Sequence, residues 1–241
     1  VIKDRLPHDK EQVMAITDWP MNERPREKLL HKGADALSDA ELLAIVLRTG
    51  SQGKSAVDLA RHLIKEFNGL RPLLCASQET LCAQPGIGPA TYAQLQAIRF
   101  MGQRFLREQV QQNPLFNSPD ATRQYLLSKL RDRQHEEFHI LYLDTQYQLL
   151  HDEMLFRGTI ASAAVYPREV VKGALSANAA AVILVHNHPS GIAEPSHADL
   201  QITQKLIQAL SLVDIQVLDH QIVGDNKVVS LAERGLITVT Y

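Results

Sequence analysis

The apolar run Ala181-Val182-Ile183-Leu184-Val185 passes without a break into His186-Asn187-His188, and the next residue is Pro189. A short apolar run bounded by turn residues reads as a buried strand. Residues two apart on a strand share a face, so His186 and His188 aim both imidazoles to one side at its end. Pro189 cannot continue a sheet ladder and Gly191 permits a sharp turn, so the chain leaves the sheet here. It re-enters a helix at Pro195-Ser196, which returns Asp199 within the first helical turn. Two neutral imidazoles, one carboxylate and an open position for water describe a catalytic rather than a structural zinc site.

A second reading of the same residues is available. Ser196-His197-Ala198-Asp199 has capping-box spacing, so Ser196 and Asp199 could merely start a helix. A capping serine commits its hydroxyl to backbone N–H groups, whereas a catalytic one faces the metal. The combination of His-x-His, turn residues, serine and aspartate at fixed spacing favours the metal site.

Around this segment, helix and strand alternate. Pro119-Asp120 opens a helix to about Leu130, and Phe138 to Leu143 is a β-rich run with an antiparallel partner over 148–156. Pro167-Arg168-Glu169 begins a helix through Leu175. A long helix follows from Ser196 to about Leu212, and Ile215–Val223 and Lys227–Leu231 form a hairpin across Gly224-Asp225-Asn226. Helices alternating with a mixed sheet give an α/β sandwich.

The preceding part is helical. Ser38-Asp39-Ala40-Glu41 is a capping-box spacing before Leu42, Leu43, Ile45, Val46 and Leu47. A second helix fits Ser55 to Phe67, ended by Asn68-Gly69. Short helices flank Pro85-Gly86-Ile87-Gly88-Pro89, and a longer one runs over 90–107. The expected organisation is an extension over 1–21, possible disorder included, a helical domain over 22–107, a polar linker with two prolines over 108–118, and the α/β domain over 119–241.

His-x-His, seven residues, Ser, two residues, Asp resembles the JAMM (MPN+) metallopeptidase motif, and the version His186-Asn187-His188-Pro189-Ser190-Gly191 with Glu194-Pro195-Ser196 resembles the RadC family. Arg24-Pro25-Arg26-Glu27-Lys28-Leu29, Leu37 to Leu43, Leu47-Arg48-Thr49-Gly50, the segment Pro85 to Gly88, and Pro167-Arg168-Glu169 carry the same likeness. The resemblance implies a cytidine-deaminase-like α/β sandwich and a zinc-dependent peptidase or isopeptidase. One zinc ion would be held by His186, His188 and Asp199. In that pattern a glutamate at the start of an early strand acts on a zinc-activated water, and the matching residue is Glu137. Glu136 is the alternative by one register step, which would turn it to the opposite face. Glu169 is a further alternative, although an acid in a helix's first turn is favoured by the dipole alone. The carboxylate would take the proton from the water and pass it to the departing amine. Ser196 would donate a hydrogen bond to the oxyanion. His197 and Glu194 read as solvated bystanders, and His151 and His220 as packed or surface histidines.

Pro85-Gly86-Ile87-Gly88-Pro89-Ala90 resembles a helix-hairpin-helix turn. Glycines let a backbone approach a phosphate, so Gly86, Ile87 and Gly88 are candidates for non-specific DNA contact. No lysine or arginine lies between Arg71 and Arg99 to reinforce it, and a tight packing turn explains the same residues. Net charge is -2, so bulk electrostatics does not draw the chain to polyanions. The competing function is a DNA-associated accessory protein whose zinc domain binds partners. A nucleobase deaminase would need a Pro-Cys-x-x-Cys ligand pair, which Cys75 and Cys82 do not supply. Two cysteines, an N-terminus without a secretory apolar core and no long apolar run lead to an expectation of a cytoplasmic protein outside the membrane.

Overall fold

The computed structural model describes residues 16–51, 53–112, 119–158 and 165–237. The chain divides into two compact units, Val1–Phe100 and Met101–Tyr241.

The first unit is helical: α1 (Pro25–Lys32), α2 (Asp39–Leu47), α3 (Ala56–Glu66), α4 (Leu70–Cys75), α5 (Gln78–Cys82) and the start of α6 (Pro89–Gln111). Capping sets two of these starts. Ser38 Oγ accepts from the Glu41 N–H while Glu41 Oε2 accepts from the Ser38 N–H, and Ser55 and Asp58 repeat the exchange. Such boxes satisfy backbone donors that a helix start leaves open. Leu43, Leu47, Val57, Leu59, Leu63, Leu73, Leu81 and Leu95 close over one another as the core.

Two boundaries differ from the sequence reading. The helix expected to stop at Arg107 continues to Gln111, and the unit boundary falls inside it, between Phe100 and Met101. The polar amides at 108–111 therefore continue a helix instead of opening a linker; glutamine is a good helix former, and Val110 is buried in the second unit's core. Residues 113–118 lie outside the described residues. Of the expected extension, Ile16–Asp18 and Met21–Glu23 form 3-10 turns, and Arg24 Nε donates to the Trp19 carbonyl at 2.9 Å. Residues 1–15 are outside the described set.

The second unit is a five-stranded mixed sheet in the order β2-β1-β3-β4-β5, comprising β1 (Glu137–Leu143), β2 (Leu149–Arg157), β3 (Ala181–Asn187), β4 (Gln216–Val223) and β5 (Val228–Ser230). β1 pairs antiparallel with both β2 and β3, while β3 and β4 run parallel. A parallel pair needs a crossover, and α9 (His197–Ser211) supplies it. The central strand β3 is buried along its whole length, as its unbroken apolar run requires.

The pleat divides the side chains between two cores. Leu141, Leu143, Ala181, Ile183 and Val185 face Tyr125, Leu126 and Leu130 of α7 (Pro119–Leu130). Phe138, Ile140, Tyr142, Val182 and Leu184 face Val170 and Ala174 of α8 (Pro167–Ser176) and Leu206 and Leu210 of α9. Gly173 is fixed by the second core, since a Cβ there would stand 2.2 Å from Tyr142 Oη.

Candidate metal centre

β3 ends on Asn187, so His186 is a strand residue with its side chain on the α9 face, next to Phe138 of β1 (ring centroids 6.2 Å apart). Beyond it the chain turns as Pro189 and Gly191 demand. The Gly191 N–H donates to the His188 carbonyl at 2.9 Å, and Gly191 takes φ +80°, a conformation that costs glycine little. α9 then opens on Ser196 and brings Asp199 back over the strand end. Among the described residues, ligand atoms of His186, His188 and Asp199 lie within 4.8 Å of one another. His186 and Asp199 are fully buried, and His188 is half-buried.

Hydrogen bonds decide which ring nitrogens face the centre. His188 Nδ1 lies 2.6 Å from the Ile192 carbonyl, which only accepts, so Nδ1 carries the proton. His186 Nδ1 lies 2.8 Å from His220 Nε2. Both Nε2 atoms therefore point inward, 2.9 Å apart, with His186 Nε2 at 3.2 Å from Asp199 Oδ1 and His188 Nε2 at 3.7 Å from Oδ2. Two nitrogen lone pairs and a carboxylate repel at such distances unless a positive charge lies among them. A fully buried carboxylate also costs several kcal/mol without a compensating charge. Burial pushes the Asp199 carboxyl upward, but the adjoining imidazoles of His186 and His188 outweigh that and hold it well below the usual carboxylate range. The Asp199 carboxylate beside it likewise raises His188, against the effect of burial. The residues present thus fit a divalent cation, and two imidazoles with one carboxylate are a zinc-type donor set.

Ser196 occupies the capping position: its Oγ accepts from the Asp199 N–H at 3.2 Å, and Asp199 Oδ2 accepts from the Ser196 N–H at 2.7 Å. The two roles set against each other in the sequence use different parts of the same groups. The cap takes one lone pair of the exposed hydroxyl and leaves its O–H, and it takes Oδ2 of Asp199 while Oδ1 faces His186.

The glutamate expectation needs correction. Phe138 pairs with His186 across β1 and β3 and shares its face. Glu137 is one residue away and points to the opposite side. Its Oε2 lies 3.1 Å from His139 Nε2 and 3.6 Å from Arg133 Nε, so the structure does not bring Glu137 to the metal ligands. There burial, with Lys129 nearby, pushes the His139 imidazole down to about 4. Glu136, two residues before Phe138, has the parity of the metal face. Its negative charge contributes to raising the His188 pKa. Asn187 holds this approach in place. Its Oδ1 accepts from the Glu137 N–H at 2.8 Å and its Nδ2 donates to the His135 carbonyl at 3.1 Å, so one buried amide grips the backbone on both sides of residue 136.

The remaining candidates lie elsewhere. Glu169 is in the first turn of α8 and pairs with Arg168. Glu194 is exposed and bound by Arg234 and Lys227, whose hydrogen bonds lower its carboxyl to about 2. His197 contacts Gln201 on the surface, and His151 packs on Tyr142. Sequence reasoning took His220 for a packed or surface histidine and missed its contact with His186. It is fully buried between His186 Nδ1 and Thr203 Oγ1, and beside Asp219 in β4 nothing local singles it out in the sequence.

In the helical unit, Gly86 takes φ +85°, and a Cβ there would come 2.7 Å from Ser51 Cβ. Ile87 is buried in the core, while Gly88 meets nothing within 4 Å. Packing therefore accounts for Gly86 and Ile87. No helix among the described residues is long and apolar enough to cross a membrane.

A five-stranded mixed sheet flanked by helices, carrying two histidines on a strand end and an aspartate on the next helix, defines the JAB class of domain. The sequence model of the RadC-like JAB domain matches residues 116–236, and that of the UPF0758 N-terminal domain matches residues 16–93. The chain belongs to the RadC family of UPF0758 proteins. It is 61% identical to a UPF0758 protein of Saccharophagus degradans over 93% of this chain and 100% of that one. A UPF0758 protein of Marinomonas sp. is 59% identical over the same shares, and one of Stutzerimonas stutzeri is 59% identical over 92% and 99%.

Proposed function

We propose that this chain is a metal-dependent peptidase or isopeptidase that attacks an amide carbonyl with water. The observation that carries the reading is the convergence of His186 Nε2, His188 Nε2 and the buried Asp199 carboxylate; strand parity and its electrostatic effect on His188 support Glu136 as the acid beside them. A zinc ion held by His186, His188 and Asp199 would supply Lewis-acid polarisation of water and carbonyl. Glu136 removes the proton from the attacking water and returns it to the leaving amine. The Ser196 O–H donates to the oxygen that becomes negative as the carbonyl is attacked. No side chain here needs to form a covalent bond to the substrate.

The test compares zinc-loaded wild type, Glu136→Gln and Glu137→Gln on peptide and isopeptide libraries. Removing a general base costs about 10²–10⁴-fold in rate, so Glu136→Gln is expected to lose at least 100-fold while keeping its zinc. Glu137→Gln keeps most of its turnover. Full zinc occupancy with no cleavage of any substrate contradicts the peptidase reading. A collapse confined to Glu137→Gln contradicts the assignment of Glu136.

A further inference from the structure

His186 does not orient itself. Its Nδ1 meets His220 Nε2 at 2.8 Å, His220 Nδ1 meets Thr203 Oγ1 at 2.6 Å, and Thr203 Oγ1 donates to the Asp199 backbone carbonyl at 2.5 Å. The chain of bonds ends on a group that can only accept, and this fixes its direction throughout. The carbonyl takes the Thr203 hydrogen, so the threonine oxygen accepts from His220 Nδ1–H. His220 Nε2 then offers a lone pair and accepts from His186 Nδ1–H. The one nitrogen of His186 left to carry a lone pair is Nε2, the atom that faces Asp199 and His188. Thr203, His220 and His186 are all fully buried, so water does not scramble the order. Phe138 closes the other side, with its ring centroid 5.7 Å from that of His220.

We propose that Thr203 and His220 form a positioning relay that selects the metal-binding tautomer of His186. The inference rests on the metal-centre reading and adds residues that never touch the metal. The loop closes on itself, because the helix that carries Asp199 also supplies the carbonyl that orders the relay. Partners that hold the second nitrogen of a ligating histidine typically change metal affinity by about 10–100-fold when removed.

Thr203→Val keeps the volume and deletes the hydroxyl. His220 Nδ1–H then has no acceptor, so its proton moves to Nε2 and faces His186 Nδ1. The His186 proton is displaced to Nε2, where it blocks the ligand position. Two readouts follow on the full chain. Zn²⁺ affinity by chelator competition is expected to fall about 10–100-fold in Thr203→Val and to recover in Thr203→Ser. Nitrogen-15 spectra of the metal-free protein at alkaline pH should show His186 protonated on Nδ1 in wild type and on Nε2 in Thr203→Val. His220→Phe, which keeps a ring and deletes both nitrogens, should match the affinity loss. Unchanged zinc affinity and an unchanged tautomer in a folded Thr203→Val protein overturn the relay. A wild type that takes up no zinc contradicts the metal centre itself, and the tautomers of the metal-free protein still decide the relay.

Discussion

Two adjacent carboxylates, Glu136 and Glu137, stand where β1 begins, and strand alternation continued back by one residue gives them opposite faces. The register Phe138↔His186 assigns the even residues of β1 to the side of the metal ligands. Glu137 instead joins His139 and Arg133 on the α7 side. The sequence shows both acids but no register, and a slip of one residue reverses every assignment along the strand. That is why the resemblance left Glu136 and Glu137 as alternatives, and why the proposed base is Glu136. The clustering of His186, His188 and Asp199 was legible because three local signals coincide: alternation on a strand, a proline that ends it, and a helix start three residues before Asp199. Asn187 was passed over because an amide inside a His-x-His pair looks like a spacer. Asn187→Ala leaves the Glu137 N–H without its partner and is expected to cost about 1–3 kcal/mol of stability, together with a loss in kcat at unchanged zinc affinity. Thermal unfolding, zinc titration and turnover of the same variant check this, and an unchanged kcat removes Asn187 from the positioning of Glu136.

At the scale of elements, capping and hydrophobic period located most of the longer helices among the described residues. Ser38, Ser55 and Ser196 all form the reciprocal boxes that their spacing implies. The strand ends moved by a residue or two, since pairing partners rather than local preference decide where a ladder stops. The end of α6 was misjudged, because glutamines in a helix and in a linker are alike until burial of Val110 distinguishes them. Ser196 and Ser38 offer a matched comparison. Replacing either with alanine removes one cap and is expected to lower stability by about 1 kcal/mol, read as a similar fall in melting temperature. Turnover should fall in Ser196→Ala alone, by about 10²-fold if its O–H serves the oxyanion. Equal turnover in the two variants confines Ser196 to capping.

The chain comprises two units with separate cores, and the candidate metal centre lies in the second. His220 shows what only the assembled fold displays. It is 34 residues from His186 in sequence, and the parallel pairing of β3 with β4 puts its ring beside that ligand. No local pattern encodes that neighbourhood. The His186, His188 and Asp199 cluster joins β3 to α9, so a cation bound there would stabilise the second unit in proportion to its affinity. The most direct measurement is zinc stoichiometry of the full chain after chelation and dialysis, for wild type and for Asp199→Asn. The account predicts one zinc per wild-type chain, a rise in the melting temperature on its return, and loss of both in Asp199→Asn. A wild-type chain that binds no zinc, or an Asp199→Asn variant that binds it equally well, contradicts the metal centre on which the proposed chemistry depends.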